Sequence, residues 1–111
     1  MAPKTIIIQS ETIGRDEAKL GSSLMTNFLR VLSVSNDKPD SIVFLNTGVR
    51  LICKGSDVLD SLEKIAEQGV EILACTNCLN YFNLMSKIEV GKPTDMHQTV
   101  KAIMNNDIVS L

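Results

Sequence analysis

Two of the three cysteines in this sequence stand close together, in the run Cys75-Thr76-Asn77-Cys78. That spacing brings two sulfurs near each other, so one thiol can resolve a disulfide or persulfide formed on its neighbour. The apolar run Val70-Glu71-Ile72-Leu73-Ala74 before the pair reads as a buried strand. Leu79 to Met85 after it can form a short helix with Asn77 as its cap. Cys75 is thus expected at a strand's end and Cys78 in the first turn of the next helix. Free N–H groups and the positive end of the helix dipole there favour thiolate, the nucleophilic form. The plainer alternative is packing, because free cysteine often behaves as a small buried hydrophobe. Cys53, between Ile52 and Lys54, has no cysteine near it in sequence and reads as core. A structural zinc site wants four ligands, and only Cys53 and His97 remain to complete one, so no metal is expected. His97 is expected to be solvated. Gly14-Arg15-Asp16 lacks the Gly-x-Gly-x-x-Gly pattern and no P-loop lysine occurs, so no nucleotide cofactor is expected.

The elements that must position the pair alternate between strand-like and helix-like patterns. Lys4 to Gln9 is an isoleucine-rich run of strand length, and Ser41 to Leu45 is a second, ending at the turn Asn46-Thr47-Gly48. Between them, from Asp16 to about Leu32, apolar residues recur on one helical face at Leu20, Leu24, Phe28 and Leu32. Gly21 inside this helix is expected to mark close packing on the sheet. Val49 to Lys54 fits either a short strand or a helical turn. Ser56 or Asp57 opens a helix carrying Val58, Leu59, Leu62, Ile65 and Ala66, with Gly69 placed to end it. Ile88 to Val90 reads as an edge strand and Ile108-Val109 as the last strand. Asp95 and Gln98 have capping-box spacing at the start of a helix that carries Met96, Val100, Ile103 and Met104 on one side. Core packing accounts for the methionines on these helical faces.

Strands alternating with helices predict parallel pairing and right-handed crossovers. The expected fold is therefore α/β: a three-layer, doubly wound, mostly parallel sheet of about five strands in a single domain, residues 1–111. Such sheets gather their chemistry beyond the carboxyl ends of the strands. Three segments are expected there: Ser10 to Asp16, Asn46 to Val49, and Cys75 to Cys78.

Composition narrows the function classes. The chain has 111 residues, enough for one buried core, with 11 Lys+Arg against 13 Asp+Glu. Without a basic stripe or a set of stacking aromatics, a nucleic-acid partner is not expected. No apolar run is long enough for a membrane span. The first residues turn polar too soon for a secretion signal. Unpaired cysteines without such a signal suggest a reducing, cytoplasmic setting.

The sequence resembles the DsrE-like domain of the YedF proteins, within the DsrE/DsrF superfamily. The likeness runs through Ser10-Glu11-Thr12-Ile13-Gly14-Arg15, Leu20-Gly21-Ser22-Ser23-Leu24-Met25 and Phe44-Leu45-Asn46-Thr47-Gly48-Val49. It continues through Gly55-Ser56-Asp57-Val58-Leu59, Gly69 to Leu79, and Val90-Gly91-Lys92-Pro93-Thr94-Asp95-Met96. The resemblance implies a sulfurtransferase-like protein, linked to selenium metabolism, that carries a persulfide on a cysteine. It matches Cys75 to the strand-end cysteine that carries sulfur in relatives, and Cys78 to a second cysteine common in YedF-like and YchN-like members. It also implies a homo-oligomer, with donor or acceptor proteins such as a cysteine desulfurase or a TusA-like protein. The family's TusA-like domain with its Cys-Pro-x-Pro motif does not occur here, so transfer between domains would need a separate protein. The family's frequent Cys-Gly-Thr-Cys is replaced by Cys75-Thr76-Asn77-Cys78, in which Thr76 restricts the turn.

The expected site thus has Cys75 and Cys78 as catalytic residues, Cys75 accepting the sulfur. Asn46, Gly48, Thr76 and Asn77 are the expected substrate contacts. The reading from a different class is a non-catalytic interaction or redox-sensing module on the same fold. A thiol-disulfide oxidoreductase ranks behind both, because Pro93 in its Gly-Lys-Pro loop is the only proline downstream of the pair.

Overall fold

The isoleucine run near the start of the chain forms β1 (Lys4–Ile8), and every residue in it after Lys4 is buried. A strand covered on both faces has no need to alternate, which is why the run is continuous. Gln9 is exposed and falls outside it, its side chain donating to Ser110 Oγ at 2.7 Å. The computed structural model describes residues 2–111. Its other strands are β2 (Ser41–Phe44), β3 (Glu71–Cys75), β4 (Lys92–Thr94) and β5 (Asp107–Ser110). The helices are α1 (Ala18–Val34), α2 (Leu59–Glu67), α3 (Thr76–Tyr81) and α4 (Met96–Asn105).

All five strands are parallel, in the order β4-β3-β2-β1-β5. The chain steps one way across the sheet from β1 to β4, so right-handed crossovers put α1, α2 and α3 on one face. It then passes back beyond β1 to β5, and the same handedness sends α4 to the other face. The result is the expected three-layer α/β arrangement. The main core lies under the first three helices: Ile6, Ile8, Ile42, Phe44, Ile72 and Ala74 from the sheet meet Met25, Leu29, Leu62, Ile65 and Leu79. On the second face Thr5 Oγ1 and Ser41 Oγ share a hydrogen bond of 2.8 Å, and Asn106 Nδ2 donates to Thr5 Oγ1 at 2.9 Å.

Several boundaries differ from the sequence expectation for identifiable reasons. α1 begins at Ala18 rather than Asp16, because Asp16 takes a left-handed φ of 74° and stays in the loop after β1. Gly21 packs against that loop and not against the sheet: a Cβ there would sit 2.7 Å from Thr12 Cβ and 2.9 Å from the Ile13 carbonyl oxygen. Of the ambiguous Val49 to Lys54 segment, Val49 to Ile52 belong to a 3₁₀ stretch over Asn46–Ile52, and Cys53 lies past its end. α2 ends with Gly69 at the expected position past its last turn, at φ +94°.

Ile88 to Val90 is not the edge strand. These residues pair with the end of the 3₁₀ stretch, through an antiparallel bridge of Cys53 with Ile88 and the Glu89 N–H donating to the Ile52 carbonyl at 2.9 Å. The edge beside β3 is β4, whose Lys92–Thr94 pair with Leu73–Cys75.

α4 starts as its cap predicts, with Asp95 Oδ1 accepting from the Gln98 N–H at 2.8 Å. The side carrying Met96, Val100, Ile103 and Met104 does not face the core, and Met104 is 75% exposed. Thr99, Ala102 and Asn106 turn inward instead, over a sheet face that itself carries Thr5 and Ser41. Of the methionines among the described residues, only Met25 is buried.

Gly48 controls how closely the turn after β2 can approach β1. A Cβ at that position would lie 2.5 Å from the Ile8 carbonyl oxygen, which is backbone and cannot swing aside. Gly48→Ala is expected to lower stability by about 1–3 kcal/mol, the usual range for overpacking, seen as a lower urea midpoint. Asp95→Ala should cost about 1 kcal/mol in the same measurement, the usual worth of a helix N-cap.

Candidate functional site

The carboxyl ends of the parallel strands share one rim, and three turns meet there. After β1, Ser10 Oγ accepts from the Thr12 N–H at 3.2 Å and lies 3.1 Å from Thr12 Oγ1, which folds the loop back on itself. After β2, Asn46 takes a left-handed φ of 50°. Asparagine tolerates that conformation because its side chain can bond locally. Here Asn46 Oδ1 accepts from the Thr47 N–H at 2.8 Å. After β3 the chain enters α3 at once, with Cys75 as the N-cap residue and Cys78 in the first turn.

The Asn46 N–H joins the second turn to the third, donating to Cys78 Sγ at 3.2 Å. Cys78 is half-buried and lines an open cavity of about 510 Å³ with Asn46, Asn77, Tyr81 and Phe82. Tyr81 and Phe82 pack edge to face with ring centroids 5.0 Å apart. Arg50 lies over the Phe82 ring at 4.4 Å and pairs with Glu11 at 3.3 Å. One guanidinium thereby bridges the loop after β1, the 3₁₀ stretch and the end of α3. The ion pair is exposed and the Phe82 ring only half-buried, so each contact is worth about 0.5–1 kcal/mol.

Cys75 is the last residue of β3 and only 3% exposed. Cys78 follows it three residues later, across the first turn of α3. Burial, the largest cause, together with Cys75 raises the Cys78 pKa above the ordinary thiol range, while the Asn46 N–H works against the rise. The expected thiolate at Cys78 is therefore not what the structure favours. α3 has only 6 residues, so its dipole is too slight to overcome desolvation. Cys53 is buried as expected, its thiol donating to the Val49 carbonyl at 3.3 Å, and burial followed by Glu89 raises its pKa.

The anticipated contact residues separate into two groups. Asn46 and Asn77 join Cys78 around the cavity. Gly48 is buried and acts through the backbone approach described above. Thr76 turns to the other side of the sheet end, where its Oγ1 donates to the Thr94 carbonyl at 2.9 Å. β3 and β4 are neighbours whose following helices leave to opposite faces, the kind of switch point where open α/β sheets bind ligands. At this one, Cys75 pairs with Thr94 and the Thr76 bond ties the two strand ends together.

Sequence reasoning did not single out Arg50. Its only signal was a long cation between apolar neighbours, directly after the Asn46 to Val49 segment expected at the rim. His97 is exposed, as expected. Among the described residues, no three His, Cys, Asp or Glu side chains cluster to hold a metal ion, and no helix is long and apolar enough to cross a membrane.

This parallel sheet with three helices on one face and one on the other is a DsrE-like α/β fold. No family model matches the chain and no curated protein sequence matches it. Solved structures do. The YchN protein of E. coli superposes with a TM-score of 0.75 at 12% identity, over 100% of both chains. MTH1491 of Methanobacterium thermoautotrophicum, a protein of unknown function, gives 0.67 at 16% identity over 97% of each chain. BT1422 of Bacteroides thetaiotaomicron, a conserved protein of unknown function, gives 0.68 at 16%, covering 98% of this chain and 95% of its own. At these identities the likeness establishes the fold.

The burial of the three thiols sets their order of reactivity. Iodoacetamide should modify Cys78 alone in the native chain, and Cys53 and Cys75 only after unfolding, as peptide mass mapping would show. The Cys78 rate should still be rising with pH above about 8.5, where an unperturbed thiol passes its midpoint.

Proposed function

We propose that this chain is a sulfurtransferase-like carrier that takes up sulfane sulfur as a persulfide on Cys78 and passes it to a partner protein. The observation that carries this reading is the half-exposed Cys78 sulfur, opening on a cavity while it receives the Asn46 N–H at 3.2 Å. The resemblance to DsrE-like domains favours the strand-end Cys75 as acceptor. Its burial makes the outer thiol the better assignment, since no donor reaches a side chain that is 3% exposed without opening the rim.

The roles follow from position. Cys78 attacks the donor's sulfane sulfur. The Asn46 amide hydrogen bond stabilises Cys78 as the thiolate it becomes each time it gives up cargo, because a donated N–H favours the charged sulfur. Asn77, Tyr81 and Phe82 form the walls against which a partner's reactive residue sits. The cargo is sulfur or, by the same chemistry, selenium. A cysteine desulfurase is a fitting donor and a TusA-like protein a fitting acceptor.

A second reading, a non-catalytic interaction module, draws on the apolar residues left outside. Leu20, Leu24, Val31 and Val34 are exposed along α1, and Met96, Val100, Ile103 and Met104 along α4. Such stripes suit contact with other chains, including further copies of this one. On that reading the cysteines are dispensable.

Incubation with a cysteine desulfurase and L-cysteine, followed by mass mapping, tests the choice. The carrier reading expects a gain of about 32 Da, one sulfur, located on Cys78 and absent from Cys78→Ser. No adduct in either wild type or Cys75→Ser, from a donor that loads a known acceptor in the same experiment, overturns it.

A further inference from the structure

We infer that Cys75 is a resolving thiol built to act on a persulfide at Cys78, releasing hydrosulfide and closing a Cys75–Cys78 disulfide when no acceptor is docked. The inference rests on the carrier reading above and says how its loaded state ends.

The two sulfur atoms of a Cys78 persulfide face different surroundings. Cys78 Sγ, the inner sulfur, accepts from the Asn46 N–H at 3.2 Å and belongs to the first turn of α3, three residues after the buried cap residue Cys75. The added outer sulfur lies about 2 Å further along the side chain. It extends toward the open cavity bounded by Asn77, Tyr81 and Phe82. An acceptor arriving from solvent reaches the outer sulfur first. Its attack leaves Cys78 as a thiolate, with the Asn46 amide donating to the departing sulfur. Cys75 is buried and does not line the cavity, so it reaches only the inner sulfur. Which sulfur is attacked decides the product, relay in the first case and hydrosulfide in the second.

The internal step balances without any outside reagent. The Cys75 thiol gives up its proton and its sulfur bonds to Cys78 Sγ. The bond between Sγ and the outer sulfur breaks, and the electron pair leaves with the outer sulfur, which departs as hydrosulfide. The Cys75 sulfur is oxidised, the outer sulfur is reduced, and Cys78 Sγ stays at the disulfide level. A dithiol reductant then restores both thiols with two electrons and two protons.

The backbone can accommodate the disulfide. Side chains three apart on a helix have Cβ atoms about 5–6 Å apart, and a disulfide needs about 3.5–4.5 Å. Cys75 is the cap residue, at φ −60° and ψ 121°, and not part of the helical turn, so its Cβ can close the difference without unwinding α3. Its burial keeps external thiols from competing for it.

The test loads the full chain with inorganic polysulfide, desalts it, and follows sulfide release and peptide mass in wild type, Cys75→Ser and Cys75→Ala. Wild type should release one hydrosulfide for each sulfur carried and end about 2 Da lighter than the unloaded thiol form, with Cys75 joined to Cys78. Both variants should hold the Cys78 persulfide at least about 10-fold longer, since the internal thiol is gone. Equal release from all three proteins, or wild-type release without the internal disulfide, overturns the inference and leaves the carrier reading standing. Absence of a Cys78 persulfide in every protein overturns the carrier reading, and this inference with it.

Discussion

Every strand of the sheet points the same way, and the rest of the molecule follows from that one constraint. Parallel pairing obliges the chain to cross over a face of the sheet between strands. It also brings the ends of β1, β2 and β3 to a single rim, so residues more than thirty positions apart in sequence, Asn46 and Cys78, can share a hydrogen bond. The rim is narrow because Gly48 lets the turn after β2 close onto the Ile8 carbonyl. A bulkier residue there would push Asn46 outward and take the donated N–H away from sulfur.

Within that rim the two neighbouring thiols are made unequal by depth. Cys75 belongs to the strand and takes its burial from the sheet, while Cys78 belongs to a one-and-a-half-turn helix and takes its exposure from the cavity. Desolvation outweighs the single donated hydrogen bond, so Cys78 keeps its proton at neutral pH. A protonated, half-buried thiol of this kind is less open to indiscriminate oxidation and alkylation than an exposed thiolate. In the proposed carrier role, activation would fall to the encounter, when a donor or acceptor changes the local dielectric and hydrogen bonding.

Much of this was legible in the sequence, and the failures have physical causes. The Ile-rich runs and the α/β alternation indicate a parallel sheet because continuous apolar strands need cover on both sides. The Cys-x-x-Cys pair was correctly placed at the end of the third strand for the same reason. Its electrostatics were not legible, because spacing reveals neither how short α3 is nor how deep each sulfur lies. Ile88 to Val90 has the composition of an edge strand, yet its pairing was claimed by Ile52 and Cys53, a tertiary choice that local pattern cannot show. The apolar side of α4 was misassigned because periodicity identifies a face and not its direction. Here the sheet offered α4 hydroxyls, and its small and polar residues turned toward them.

Those hydroxyls matter for a problem peculiar to aliphatic parallel strands. Sequences such as Thr5-Ile6-Ile7-Ile8 and Ser41-Ile42-Val43-Phe44 bury nearly the same surface if one slides past the other by two residues. The hydrogen-bonded series Asn106–Thr5–Ser41 breaks that degeneracy, since sliding leaves the fully buried Thr5 hydroxyl without its partners. Three small polar side chains under α4 thus act as an alignment key. They fix β1 against β2, and through it the relative height of the turns that begin where those strands stop.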